Sequence, residues 1–181
     1  MPTIGLTGGF GTGKSTVLKL FKKLGAHTVD SDKLVADILK RPVIINKLVK
    51  ILGKEITQKR NGKLILIKSR IAKIIFADPE KRKAVENIIH PEVLKEIKAI
   101  RKTIYSKDKS ATIVIEVPLL FETGFDKYFD KTVVVYCNRE IAINRLMNKG
   151  FSREEILKRI RAQMPISRKK KLADYSINNN S

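Results

Sequence analysis

Cysteine is almost missing from this chain: Cys137 is the single one in 181 residues, and there is no tryptophan. One cysteine cannot form an internal disulfide, so a packed core must hold the fold, and a reducing cytoplasm is the compartment expected. With four tyrosines and seven phenylalanines, the chain has little to offer as a base-stacking platform. No apolar run approaches the roughly 18 residues that a membrane helix needs, so no membrane partner is expected. The first residues run directly into Thr3-Ile4-Gly5-Leu6-Thr7, which fits neither a secretory signal nor a transit peptide. Acids are scarce as well, 18 against 38 lysines and arginines, for a formal charge of +20. Such a surface attracts polyanions. The lysines are nevertheless spread over every predicted helix, and only Arg168-Lys169-Lys170-Lys171 is dense, so the charge reads as a solvated surface and no nucleic-acid partner is expected.

What is present is concentrated near the start. Gly8-Gly9-Phe10-Gly11-Thr12-Gly13-Lys14-Ser15 is a complete G-x-x-x-x-G-K-[ST] phosphate-binding loop. Gly8, Gly11 and Gly13 let backbone N–H groups of the loop, Thr12 included, curl around a triphosphate. Lys14 reaches the β and γ phosphates, the Ser15 hydroxyl can ligate Mg²⁺, and Thr16 continues the cradle into the helix. The flanks agree. Residues 3–7 form a short apolar strand, and Val17, Leu20, Phe21 and Leu24 recur at helical spacing until Gly25 ends the run. Phosphates would then lie at a helix N-terminus, where donors and dipole favour anions. A nucleoside triphosphate is the expected ligand. The guanine-reading Asn-Lys-x-Asp element is missing, since Asn46-Lys47-Leu48-Val49 lacks the aspartate, and a GTPase is not expected.

Further along, His27-Thr28-Val29-Asp30 predicts a second strand running into Ser31-Asp32. From Lys33 to about Ser110 the stripes Leu34-Val35-Ile38-Leu39 and Ile44-Ile45-Leu48-Ile51-Leu52 predict a helical lobe. Asn61-Gly62 marks a turn, Asp78-Pro79 opens a helix, and His90-Pro91 separates that helix from the next. Thr112–Val117 and Lys131–Tyr136 are nearly continuous apolar runs, as in parallel strands covered on both faces. Asn138 is placed to cap a helix, Ser152-Arg153-Glu154-Glu155 is a capping box, and residues 174–178 suit a last strand. Strands alternating with helices predict an α/β fold of three layers with a central parallel sheet and a helical insertion between its second and third strands.

Several side chains suit phosphoryl transfer. Asp30 and Asp32 follow the second strand, at the sheet edge where open α/β folds bind ligands. Asp30 suits a helix cap, which leaves Asp32 to orient an acceptor hydroxyl and take its proton. Glu116 ends an apolar strand, where an acid holds Mg²⁺ directly or through water, or lies there without such a role. Arg139, Arg145, Arg153, Arg159 and Arg161 crowd one helical stretch, where guanidinium forks would neutralise a transition state. His90, before a proline, reads first as a structural helix-end residue.

In order along the chain, Gly5–Ser15, Asp30-Ser31-Asp32, Glu86–Pro91, Val117-Pro118-Leu119-Leu120-Phe121-Glu122, Arg145-Leu146-Met147, Arg159–Pro165 and Asp174–Asn179 resemble the dephospho-coenzyme A kinase family. The resemblance runs from Ile4 to Asn178. It implies transfer of a phosphoryl group from ATP to the ribose 3′-hydroxyl of dephospho-CoA; a cytoplasmic monomer is expected. It further implies a nucleotide-binding core (1–32, 111–138, 171–181), a coenzyme-binding lobe (33–110) and an arginine-bearing lid (139–170). By matched position Asp32 is the acceptor-side base, Arg145 and Arg159 are the lid arginines, and His90, Glu116 and Pro118 are substrate-side residues. The segment Asn148-Lys149-Gly150 is one residue shorter than the family's, with Lys149 as the substitute, and Lys68 or Arg70 stands in for an arginine after the Asn-Gly turn. Rival readings are another small-metabolite kinase, such as a nucleoside monophosphate kinase, and a nucleic-acid-binding ATPase.

Overall fold

Five parallel strands form the centre of the first of two compact units in this computed structural model, which describes residues 2–60 and 62–180. That unit comprises Met1–Asp30 and Ile104–Ser181. Its strands are β1 (Thr3–Gly8), β2 (His27–Asp30), β5 (Ile113–Glu116), β6 (Lys131–Tyr136) and β7 (Tyr175–Asn178), in the order β2-β5-β1-β6-β7. Ile4 faces Val114 on one side and Lys131 on the other, which fixes β1 in the middle. Both sheet faces are covered, and all four residues of β5 are buried, which is why it reads as an unbroken apolar run. Leu6, Val114, Val133 and Val135 pack with Val17 of α1 (Lys14–Lys23). Each such buried side chain contributes about 1.5–3 kcal/mol.

The expected stripe on α1 is corrected in part. Val17 is buried, and Leu18 and Phe21 pack beside it, whereas Leu20 and Leu24 are 52% and 84% exposed. A ten-residue helix against a sheet covers one face only, and the sheet takes the 17-18-21 side. At the far edge Asp174 clamps β6 just before β7. Its carboxylate accepts the Thr132 N–H and hydroxyl, both at 2.8 Å, and the Lys131 ammonium at 3.3 Å. These bonds, those from Thr132 foremost, hold the Asp174 pKa below the ordinary aspartate value. The clamp is therefore complete above that ordinary value and is lost as pH falls through the lowered one.

Three helices separate β6 from β7: α6 (Arg139–Met147), α7 (Arg153–Arg161) and α8 (Ile166–Leu172). The capping box forms as expected, with Ser152 Oγ accepting the Glu155 N–H and the Glu155 carboxylate accepting the Ser152 N–H. Asn138 stands at the N-cap of α6 but makes no side-chain capping bond. Its own N–H donates instead to Asn180 Oδ1 at 2.8 Å. The dense basic run is not all solvated surface, because Lys169 is fully buried on α8.

The second unit is Ser31–Thr103. It holds α2 (Ser31–Ile38), α3 (Pro42–Leu52), a hairpin of β3 (Thr57–Arg60) and β4 (Lys63–Leu66), α4 (Lys68–Ala77) and most of α5 (Pro79–Lys107). Two expectations change here. The stretch is not purely helical, since Thr57 pairs with Leu66 and Gln58 with Ile65 in an antiparallel ribbon. Asn61, the first residue of the expected turn, lies outside the described residues, as does Ser181. Nor does His90-Pro91 separate two helices, because α5 runs through Pro91 without a break. One proline forfeits a single N–H bond to residue i−4. Ile89, Val93 and Ile97, four residues apart and all buried, anchor both sides of it. The Asp78-Pro79 start holds: Asp78 Oδ1 accepts the N–H groups of Glu80 and Lys81 at 3.0 Å. Arg41 ties the start of α3 to α5 through Glu92 at 3.2 Å and Glu96 at 2.6 Å.

Candidate active site

β1 ends at Gly8, the chain turns through residues 9–13, and α1 begins at Lys14. Gly13 has φ 87°, a left-handed conformation, and a Cβ there would run into the Asn179 side chain. At Gly8 a Cβ would collide with the Val135 carbonyl of the neighbouring strand. Glycine is required at both positions. Thr12 Oγ1 donates to the Gly9 carbonyl at 3.0 Å and tightens the turn. Lys14 Nζ folds back over the loop, donating to the Gly9 carbonyl at 3.0 Å and the Gly8 carbonyl at 3.5 Å. Ser15 and Thr16 follow in the first turn of α1, both exposed. Amides of a first turn lack intrahelical partners and face along the axis, which suits this loop to phosphate.

Beside the loop, Glu116 ends β5 in register with Leu6 of β1 and Asp30 of β2. Two carboxylates thus lie next to each other at the carboxyl edge of the sheet. The Pro118 carbonyl accepts the Thr7 hydroxyl at 3.1 Å and the Lys169 ammonium at 3.0 Å. That buried ammonium also pairs with Glu122 at 2.8 Å, whose side chain is 19% exposed and accepts the Met164 N–H at 3.0 Å. α8 is thereby bound to the turn after β5. Removing one partner of a buried pair strands the other, so Lys169→Met is expected to cost about 3 kcal/mol in urea denaturation. Glu122→Gln added to that variant should recover part of the loss.

Arg145 and Asn179 join the loop from the other side. Arg145 Nη1 donates to the Asn179 carbonyl at 2.9 Å, and Asn179 Nδ2 donates to the Thr12 carbonyl at 2.9 Å. The Asn179 N–H meets the Tyr136 carbonyl at the end of β6, at 2.8 Å. Nearby Cys137 is a poor nucleophile. Burial pushes its pKa up and outweighs the opposing pull of Arg145. Arg159 lies over two rings, 5.2 Å from the Phe10 centroid and 5.0 Å from that of Phe151. The Phe10 N–H donates to Gln163 Oε1 at 2.9 Å. Beneath them Ile143, Leu146 and Ile156 form a small core on which Phe10 and Phe151 pack. Residues 148–150 close a tight turn between α6 and α7, with the Gly150 N–H on the Met147 carbonyl at 2.9 Å.

Lys14, Ser15, Thr16, Glu116, Pro118, Arg145 and Arg159 all belong to this first unit. Asp32 and His90 belong to the second. Asp32 is the second residue of α2, exposed, two positions beyond the β2 tip. Asp30 is the last residue of β2, and α2 begins at the next residue, Ser31. His90 lies within α5, half-buried. Burial lowers its pKa against the opposing Glu86 charge one turn earlier, so the imidazole is neutral at neutral pH. Arg70, one of two candidates to replace an absent arginine, donates to the Glu55 carbonyl at 2.6 Å. Among the described residues no three His, Cys, Asp or Glu side chains are grouped so as to hold a metal, and no helix is long and apolar enough to cross a membrane.

No local sequence signal singles out Phe10, Gln163 or Asn179. A phenylalanine at a variable position of the loop and polar residues just past a helix or strand carry no pattern of their own. Only the ordered strings around Gln163 and Asn179 hinted at them.

The family model described as dephospho-CoA kinase matches residues 2–181. A relative from Carboxydothermus hydrogenoformans, named dephospho-CoA kinase, is 42% identical over 99% of this chain and 86% of its own length. A Thermus thermophilus structure, TT1252, superposes with a TM-score of 0.82 at 34% identity, covering 99% of this chain and 88% of that one. A dephospho-CoA kinase structure from Campylobacter jejuni gives 0.68 at 25% identity, over 99% and 88%.

Proposed function

This chain belongs to the dephospho-CoA kinase family, and we propose that its phosphate loop, Asp32 and two lid arginines carry the transfer. The reaction is the ATP-dependent phosphorylation of the dephospho-CoA ribose 3′-hydroxyl, giving CoA and ADP, the last step of coenzyme A synthesis. The observation that carries this assignment is the family match over nearly the whole chain, joined to a formed phosphate loop.

ATP would lie with its phosphates against the loop amides and Lys14 at the β and γ groups. Asp32 would accept the 3′-hydroxyl proton as that oxygen attacks the γ-phosphorus and the bond to the β-phosphate oxygen breaks. Arg145 and Arg159 would neutralise charge on the transferring group. Supporting these roles are the matched positions in the family and the place of Asp32 just past the β2 tip. Support for Arg145 comes from its link through Asn179 to Thr12. Mg²⁺ suits the donor set, because this ion takes one or two protein oxygens and fills its octahedron with phosphates and water. Ser15 would supply the hydroxyl, and Glu116 a carboxylate directly or through water; the ion would draw charge from the β and γ phosphates. The second reading of Glu116, with Pro118 and His90, is contact with the coenzyme. We further assign residues 33–110 to the coenzyme lobe, 139–170 to the lid, and 1–32, 111–138 and 171–181 to the core. The enzyme is proposed to act as a cytoplasmic monomer without nucleic acid.

The test is ADP release with dephospho-CoA, AMP, shikimate or single-stranded RNA as the added partner. Turnover with dephospho-CoA should exceed that with each of the others by more than about 10²-fold, since a site built to hydrogen-bond one acceptor rejects those that leave its polar groups unpaired. Strong turnover with AMP or RNA alone would refute the assignment.

A further inference from the structure

Phe10 is tied to the segment 159–163 twice, by different chemistry. Its N–H donates to Gln163 Oε1 at 2.9 Å, and its ring carries the Arg159 guanidinium 5.2 Å from its centroid. Phe151, 5.0 Å from the same guanidinium, meets the Phe10 ring edge-on at 5.5 Å and 80°. The two rings therefore form a right-angled notch that receives a single cation. A long arginine side chain held in one place loses rotamer entropy, and contact with two ring quadrupoles offsets that loss. A cation–π contact also differs from an ion pair in what it consumes. A guanidinium held against ring faces does not spend its N–H donors on a carboxylate, which leaves them for phosphate oxygens. A carboxylate partner would have occupied those donors.

We propose that Phe10, with Phe151, is a positioning residue that holds Arg159 at the phosphate loop with its donors presented to the transferring phosphoryl group. The proposal rests on the reading of Arg159 as a working lid arginine. It adds that an aromatic ring within the glycine loop, whose residue is also fixed to Gln163, sets where that arginine stands. Phe10 itself touches no substrate in this scheme and acts only through Arg159.

The test is a double-mutant cycle in the full-length enzyme with Mg·ATP and dephospho-CoA, reading kcat, the KM for ATP and the melting temperature. Phe10→Leu keeps an apolar side chain but removes the π-face, and should lower kcat about tenfold with little change in KM. Phe10→Tyr, which restores the ring, should stay near wild type. In an Arg159→Ala background, Phe10→Leu should have almost no further effect on kcat. Equal losses in both backgrounds, or a tyrosine variant as poor as the leucine one, would overturn the latch while leaving the role of Arg159 standing. Unchanged kcat in Arg159→Ala alone would overturn both. Should Phe10→Leu not fold, Phe151→Leu removes the other ring, and the same dependence on Arg159 is expected of it.

Discussion

Asparagine in place of Asp32 is expected to lower kcat by roughly 10²–10⁴-fold, the range that a positioned general base supplies, while ATP affinity stays nearly unchanged. The substitution keeps shape and hydrogen-bonding capacity and removes only the ability to take a proton. A purely structural alternative makes a different forecast. Asp32 is an acid in the first turn of α2, where it complements the helix dipole. Losing that interaction costs about 0.3–1 kcal/mol of stability and nothing in turnover. The two roles thus separate by magnitude and by observable. Steady-state kinetics with thermal melts of both proteins decides between them, and a fully active Asp32→Asn protein would move the base elsewhere.

Lys14→Met is expected to reduce kcat/KM for ATP by about 10²–10³-fold, as when one preorganised donor to a developing anion is removed. In the structure its ammonium serves the Gly8 and Gly9 carbonyls, which are bonds within the loop. Their loss should cost about 1 kcal/mol in stability. Calorimetry with a non-hydrolysable ATP analogue, compared with turnover, separates weakened binding from weakened catalysis. A Lys14→Met enzyme with wild-type kinetics would contradict the place given to the loop.

The parts of the molecule legible in the sequence are those with a period or a string of their own. The strands around Val114 and Val134, the phosphate loop and the Ser152 capping box all announce themselves locally. What escaped depends on partners far along the chain. Lys169 sits in a run of four basic residues that looks solvent-bound; its burial follows from Glu122 and Pro118, about fifty residues away. Pro91 reads as a helix break because local geometry disfavours it, yet packing at Ile89, Val93 and Ile97 keeps α5 whole. On α1 the leucines at 20 and 24 share the helical period with Val17, and only the sheet decides which face is covered. The hairpin Thr57–Leu66 has strands of four residues, too short to outweigh the helical stripes around it. In the site, Lys14 and Ser15 were readable, whereas the Phe10 notch was not, since no spacing rule links residues 10, 151 and 159.

The strand order has a consequence for how the protein is made. β1 leaves the ribosome more than a hundred residues before either of its neighbours, which begin at Ile113 and Lys131. Until then the central strand of the nucleotide core has nothing to pair with, and its apolar face must wait or be shielded. Contacts of such long separation are slow to close. The residues from Ser31 to Thr103, by contrast, form one uninterrupted stretch and are complete while the core is still half-synthesised. Competence to bind nucleotide therefore waits on the strands that begin at Ile113 and Lys131.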